Sequence, residues 1–212
     1  MEICGKKDYW EQVVYYKKYM FGFGARSRLI AEIVKRNSDK IESVLELGCN
    51  SGNNLQEINN LVPNIKLSGL DLSEPAINFG KTVDKNPAEL VAGDLMDLSR
   101  FEDKSFDLVF TSGVLLYLSP TDVIKVLKET IRISKRFIFN IELHGKHDCL
   151  IDIIKGDKFK IKIFSVNYRN AYKKLGHNAE VHSLINKLPK VKNTKHLVVV
   201  NLTDDKLRVF DG

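Results

Sequence analysis

The chain has 212 residues, 43% of them hydrophobic and 28% charged, with a net charge of +6. At this length one compact domain is the expectation, and the dense apolar blocks Leu108–Phe110 and Val114–Leu118 exclude a chain that is mainly disordered. No run of about 18 apolar residues occurs, and Met1–Trp10 mixes charges with no apolar leader core, so neither a membrane span nor a signal peptide is expected.

The first forty residues divide from the rest. Asp8–Tyr19 carries Tyr9, Trp10, Tyr15, Tyr16 and Tyr19 and reads as an aromatic amphipathic helix, or two short ones, broken at Phe21-Gly22-Phe23-Gly24. Ala25–Arg36 spaces Leu29, Ile30, Ile33 and Val34 as a second helix. Residues 1–40 are therefore expected to form a helical cap or lid, and residues 41–212 the main domain.

From residue 41 strands and helices alternate. The predicted strands are Ser43–Leu47, Lys66–Leu72, Ala88–Ala92, Phe106–Thr111 and Phe137–Ile141, and the helices between them are Asn53–Asn60, Glu74–Thr82 and Thr121–Ile133. Short, almost wholly apolar strands separated by helices indicate a parallel sheet buried on both faces. Later come a helix at Asn167–Leu175, stopped by Gly176, and strands at Asn178–Leu184 and His196–Leu202 joined by a long loop, so that the last strand runs antiparallel. Lys155–Lys162 alternates lysine with apolar residues and reads as an edge strand guarded by charge. The expected fold is a doubly wound, Rossmann-like α/β sheet of about seven strands.

In such sheets ligands bind outside the carboxyl ends of the strands. The first strand ends in Glu46-Leu47-Gly48-Cys49-Asn50-Ser51-Gly52, where glycines permit a sharp turn and close approach of a ligand to the backbone. The second ends in Asp71, a carboxylate able to accept from a ribose diol. The third ends in Gly93-Asp94, able to accept from an exocyclic amine, and the fourth in Thr111-Ser112-Gly113.

The blocks Val44–Gly52, Gly69–Ser73, Gly93–Leu95 and Phe106–Phe110, in this order and spacing, resemble a class I S-adenosylmethionine-dependent methyltransferase over about residues 41–142. The resemblance implies S-adenosylmethionine as cofactor. Glu46 and the loop of Gly48, Asn50 and Gly52 would then face its methionine part. Asp71, with Leu72 beside it, would hold the ribose hydroxyls, and Asp94 and the Leu95 amide would read the adenine. Thr111 and the residues to Val114 would floor the site under the methyl group. Asn50 stands where such loops usually carry glycine, and asparagine tolerates left-handed dihedrals well enough to keep the turn. Gly48–Leu55 and Thr111–Pro120 are similar to methylases associated with pseudaminic acid biosynthesis, which usually have His where Tyr117 stands.

A nicotinamide dehydrogenase, the rival in this fold class, requires Gly-x-Gly-x-x-Gly, and Asn50 and Asn53 break that pattern. A cofactor-binding module without catalysis is a further alternative. Transfer to an oxygen nucleophile can call for a base, and Tyr117, Glu142 and His144, near the strand ends, are the candidates. His144 and His147 with Cys149 hint at a metal, but histidines three residues apart in a polar loop are usually just loop, so no metal is assigned. Cys4, Cys49 and Cys149 are widely separated, as free thiols of a cytoplasmic protein.

Charge bears on the acceptor. Residues 144–196 carry +8, whereas residues 41–143 carry −5. A small, anionic acceptor such as a sugar or nucleotide-sugar is expected, with RNA or protein as the alternative. The isoelectric point near 9.1 permits nucleic acid. No appended RNA-binding module is recognisable, however, and no Asn-Pro-Pro-Tyr-type motif follows the fourth strand. The oligomeric state is left open.

Overall fold

The computed structural model describes residues 2–3, 24–83, 88–155, 159–184 and 195–210. The aromatic segment Asp8–Tyr19 lies outside them. Strand β1 (Glu2–Ile3) is followed by helix α1 (Ala25–Arg36), β2 (Ser43–Leu47), α2 (Asn53–Leu61), β3 (Lys66–Asp71), α3 (Glu74–Thr82), β4 (Glu89–Ala92) and β5 (Phe106–Ser112). A 3-10 turn at Leu115–Tyr117 leads into α4 (Pro120–Ile133), β6 (Ser134–Leu143), β7 (Cys149–Lys155), β8 (Phe159–Ser165), α5 (Tyr168–Lys174), β9 (Glu180–Ser183) and β10 (Lys195–Asn201).

Seven strands form the main sheet in the order β4-β3-β2-β5-β6-β10-β9. Neighbours from β4 to β6 are parallel, and β10 runs antiparallel to both β6 and β9. This is the doubly wound sheet with a reversed last strand that the sequence predicts. The helices lie on both faces because the strands alternate apolar residues between two cores. Val44, Leu108, Phe110, Phe139 and Val199 face one core with Ile30, Ile33 and Leu55 from α1 and α2. Leu45, Val109, Ile138 and Val198 face the other with Val123 and Leu127 of α4 and Tyr168 and Tyr172 of α5. Phe110 and Phe139 stack across β5 and β6 with ring centroids 4.9 Å apart.

Several polar groups tie the sheet together. Asp107 Oδ2 accepts from the amides of Glu42 and Ser43, fixing the start of β2 against β5. Asn140 donates to Thr111 Oγ1 and accepts from the Tyr172 hydroxyl, joining β5, β6 and α5. At the end of α1, Asn37 Oδ1 accepts from the Arg208 amide, and Lys40 pairs with Asp205.

A second sheet, β1-β8-β7, was not foreseen. Of the lysine-guarded segment expected at a sheet edge, Lys155 ends β7 and residues 159–162 open β8, the middle strand of this sheet, paired antiparallel with β7 and parallel with β1. The edge reading fails because β7 begins in the polar stretch after His144, where no alternation marks a strand.

Candidate active site

The loop between β2 and α2 turns through three left-handed residues, Gly48, Asn50 and Gly52, with φ of 78°, 53° and 83°. Asn50 thus adopts the conformation expected of it. Its amide donates to Asp71 Oδ2 at 2.7 Å, and its own Oδ1 accepts from the Ser51 amide at 2.9 Å. Gly48 is required twice, since a Cβ there would need φ of +78° and would sit 2.6 Å from Val114 Cγ2. Gly80 lets α3 close on the same loop, for a Cβ there would lie 2.5 Å from the Ser51 carbonyl oxygen.

A cavity of about 800 Å³ opens at the carboxyl ends of the parallel strands. Of the residues expected to bind the cofactor, Glu46, Gly48, Asn50, Asp71, Leu72, Asp94 and Leu95 line it. Gly52 does not. It caps α2 and shapes the turn. Thr111 is also away from the cavity: it is fully buried, with its hydroxyl against Asn140, and the next residues, Ser112, Gly113 and Val114, form the wall instead.

The three candidate bases separate. Tyr117 lines the cavity. Glu142 does not: it is 0% exposed, and its Oε1 accepts from the amides of Gly113, Val114 and Leu115 at 2.9, 3.0 and 3.3 Å. It holds the cavity wall from behind. His144 lies outside the cavity, its Nδ1 accepting from the Tyr168 amide at 3.2 Å and its ring 5.3 Å from that of His196. Burial, and then the neighbouring His196 and Arg169, hold its pKa below the ordinary histidine value.

Glu46 is the most perturbed carboxyl of the site. It is buried, Asn54 donates to its Oε1 at 2.6 Å, and its Oε2 has no partner. Burial pushes its pKa up to about 8, with Asp71 raising it further and Asn54 and Arg26 opposing. Asp71 is raised too, since burial outweighs the amides of Ser73 and Asn50 that donate to it. The folded state therefore holds the Glu46 proton between about pH 4.5 and 8, where an unfolded chain has lost it. Stability contributed by the neutral carboxyl is fully present below that window and falls as pH rises through it. Glu46→Gln is expected to be more stable than the parent at pH 9, on the order of a few kcal/mol, and equal to it near pH 4. Urea unfolding of both proteins at the two pH values checks this, and equal differences at both would contradict it.

Two residues of this site carry no motif. Arg26 and Ser27, at the start of α1, reach the cavity, and Ser27 donates to Asn54 Oδ1 at 2.7 Å, extending the Asn54–Glu46 link. Ser112 Oγ and Arg26 Nε, like Glu46 Oε2, are buried without a partner among the described residues. Three unmet polar atoms at one cavity are what a bound polar ligand would satisfy.

Residues 44–136 match the methyltransferase domain family. The domain so matched spans β2 to the start of β6, the part that builds the cavity. Carboxy-S-adenosyl-L-methionine synthase of Campylobacter concisus is 26% identical over 121 residues, 56% of this chain and 52% of that protein. The chain spans about half the length of the curated relatives it matches. A solved protein of Pyrococcus horikoshii superposes with a TM-score of 0.69 at 21% identity, covering 93% of this chain and 99% of that one. Magnesium protoporphyrin IX methyltransferase of Synechocystis, solved with bound S-adenosylmethionine, gives 0.68 at 12% identity, covering 93% and 95%. The likeness to these structures is one of fold, the Rossmann-like sheet expected from the sequence.

No helix among the described residues is long and apolar enough to cross a membrane. Among them, too, no group of three or more His, Cys, Asp or Glu is placed to hold a metal ion.

Proposed function

We propose that the protein transfers a methyl group from S-adenosylmethionine to a small-molecule acceptor. The observation that carries this reading is the cavity at the strand ends, where Glu46 and Asp71 meet the left-handed Gly48–Gly52 loop within a methyltransferase domain. The residues present fit that cofactor. Glu46 Oε2 has a free acceptor for an ammonium, and each Asp71 oxygen, although it takes one backbone amide, keeps a lone pair for a ribose hydroxyl. Asp94 and the buried Leu95 line the part of the cavity suited to the adenine.

Bound there, the cofactor would supply a methyl group already activated by its sulfonium. The protein's own task is then to orient and enclose. Proximity and alignment can lower such a barrier by about 7–11 kcal/mol. Glu142 sets the backbone of residues 113–115, and the following turn brings Tyr117 to the cavity. Tyr117 is the residue proposed to meet the acceptor. Glu142 is assigned a positioning role, and His144, outside the cavity, none in the transfer.

Uptake of a cation beside Glu46 favours its charged form, so binding of S-adenosylhomocysteine at pH 7 is expected to release protons. Calorimetry in buffers of different ionisation enthalpy reads this directly.

The acceptor is proposed to be a modified sugar or nucleotide-sugar, on the likeness of Thr111–Pro120 to the sugar-pathway methylases. Arg26 and Ser27 support a place for the start of α1 beside the acceptor, since they bring it to the cavity. The reduced, widely spaced thiols Cys49 and Cys149 accord with a cytoplasmic enzyme. A labelled-methyl screen across nucleotide-sugars, small metabolites and bulk RNA tests the acceptor class. Incorporation into RNA alone would overturn it, and absence of S-adenosylhomocysteine binding would overturn the whole reading.

A further inference from the structure

We propose that a second cavity, on the other side of the first turn of α4, binds a phosphate group carried by the methyl acceptor; this rests on the methyl-transfer reading above. The cavity measures about 200 Å³ and lies between α4, the segment after β6 and α5. Lys146, His147 and Lys174 line it, together with Asn170. Among the described residues, none of the side chains of Lys146, His147 and Lys174 has an ion pair or hydrogen bond. The one acidic residue at the cavity, Asp148, already accepts from the Asn167 amide at 2.7 Å through Oδ1. Asn167 in turn donates through Nδ2 to the Lys146 carbonyl oxygen at 2.6 Å. These two bonds tie the segment after β6 to the start of α5, so the cations project from a fixed backbone.

Electrostatics separates the two cavities. Among the described residues the large one is lined by Asp71, Asp94 and Asp122, with Glu46 holding its proton near neutral pH, against the cation Arg26. An anionic group of the acceptor is poorly received there. The small one offers two lysines and a histidine against one engaged carboxylate. The first turn of α4 is a wall common to both: Ser119 and Asp122 line the large cavity, Pro120 and Ile124 the small one. An acceptor reaching across this turn can place a reacting atom by Tyr117 and its phosphate among the lysines. This gives two of the basic residues of 144–196, a segment none of whose described residues lines the large cavity, a specific use.

The test follows the side-chain resonance of His147, assigned with His147→Gln, as the full chain is titrated with inorganic phosphate at fixed pH and ionic strength. A saturable shift with a millimolar midpoint is expected, at least tenfold weaker in Lys146→Ala/Lys174→Ala, with affinity for S-adenosylhomocysteine unchanged. No saturation, the same midpoint in the double variant, or an equal response to chloride would overturn the site. In the transfer assay phosphate is expected to compete with the acceptor, and inhibition independent of acceptor concentration would detach the site from the acceptor. If the phosphate titration holds but S-adenosylhomocysteine does not bind, the methyl-transfer reading fails and the anion site stands.

Discussion

Glu142→Ala is expected to lower the stability of the protein by about 2–4 kcal/mol. The side chain is fully buried and its Oε1 is shared by three successive amides, those of Gly113, Val114 and Leu115. Gly113 keeps a second acceptor, the Ile141 carbonyl oxygen at 3.0 Å, so two amides lose their described partner. Each buried amide left unpaired costs about 1–3 kcal/mol. Removing a carboxylate whose Oε2 has no partner returns part of this, which takes off the upper end. The loss is large against a typical total stability of about 5–15 kcal/mol. Urea unfolding measures it. Glu142→Gln, which keeps a carbonyl oxygen facing the amides, is expected to lose less than the alanine variant. An alanine variant within about 1 kcal/mol of the parent, the worth of one hydrogen bond, would show that the three amides find other acceptors and that Glu142 does not set the wall.

Asp71→Ala is expected to weaken binding of S-adenosylhomocysteine by about 5- to 150-fold, the equivalent of about 1–3 kcal/mol. The side chain accepts from the Asn50 and Ser73 amides at 2.7 and 2.8 Å, so its loss frees the left-handed loop as well as the acceptor proposed for the ribose. Asp71→Asn separates the two effects. Its carbonyl oxygen keeps one of the two amide bonds, but its amide group cannot accept a hydroxyl proton. Calorimetry on the three proteins decides: equal affinity in all of them removes Asp71 from the cofactor site.

The strands and helices that build the cavity were legible because their chemistry is local. β2 and β5 are apolar on both faces, and α1 and α3 have the bounds that helical spacing predicts. Asn50 could be read as a left-handed turn residue from its type alone. What sequence could not give is parity. In a strand successive side chains point to opposite faces, so a shift of one residue exchanges site for core. Thr111 is in the core and Ser112 at the cavity for this reason, and Glu142 supports the wall from inside instead of facing ligand. Arg26 was unreadable for a different reason. A cation in the first turn of a helix carries no pattern, and only the packing of α1 against α2 brings it to Glu46. β7 was missed because it follows a polar stretch, and β6 begins earlier than expected because Ser134, Lys135 and Arg136 mask its start.

The place of β10 in the sheet constrains the order in which the chain can assemble. Among the described residues β9 pairs with the main sheet only through β10, although it is synthesised first. On the ribosome β2 to β6 can pair as they emerge, since each finds a neighbour already made. β9 must wait, without a partner strand, until residues 195–201 have been translated and have slotted against β6. Until then β6 is an open edge in the nascent protein, and the side of the sheet beyond it is closed by the last strand to arrive.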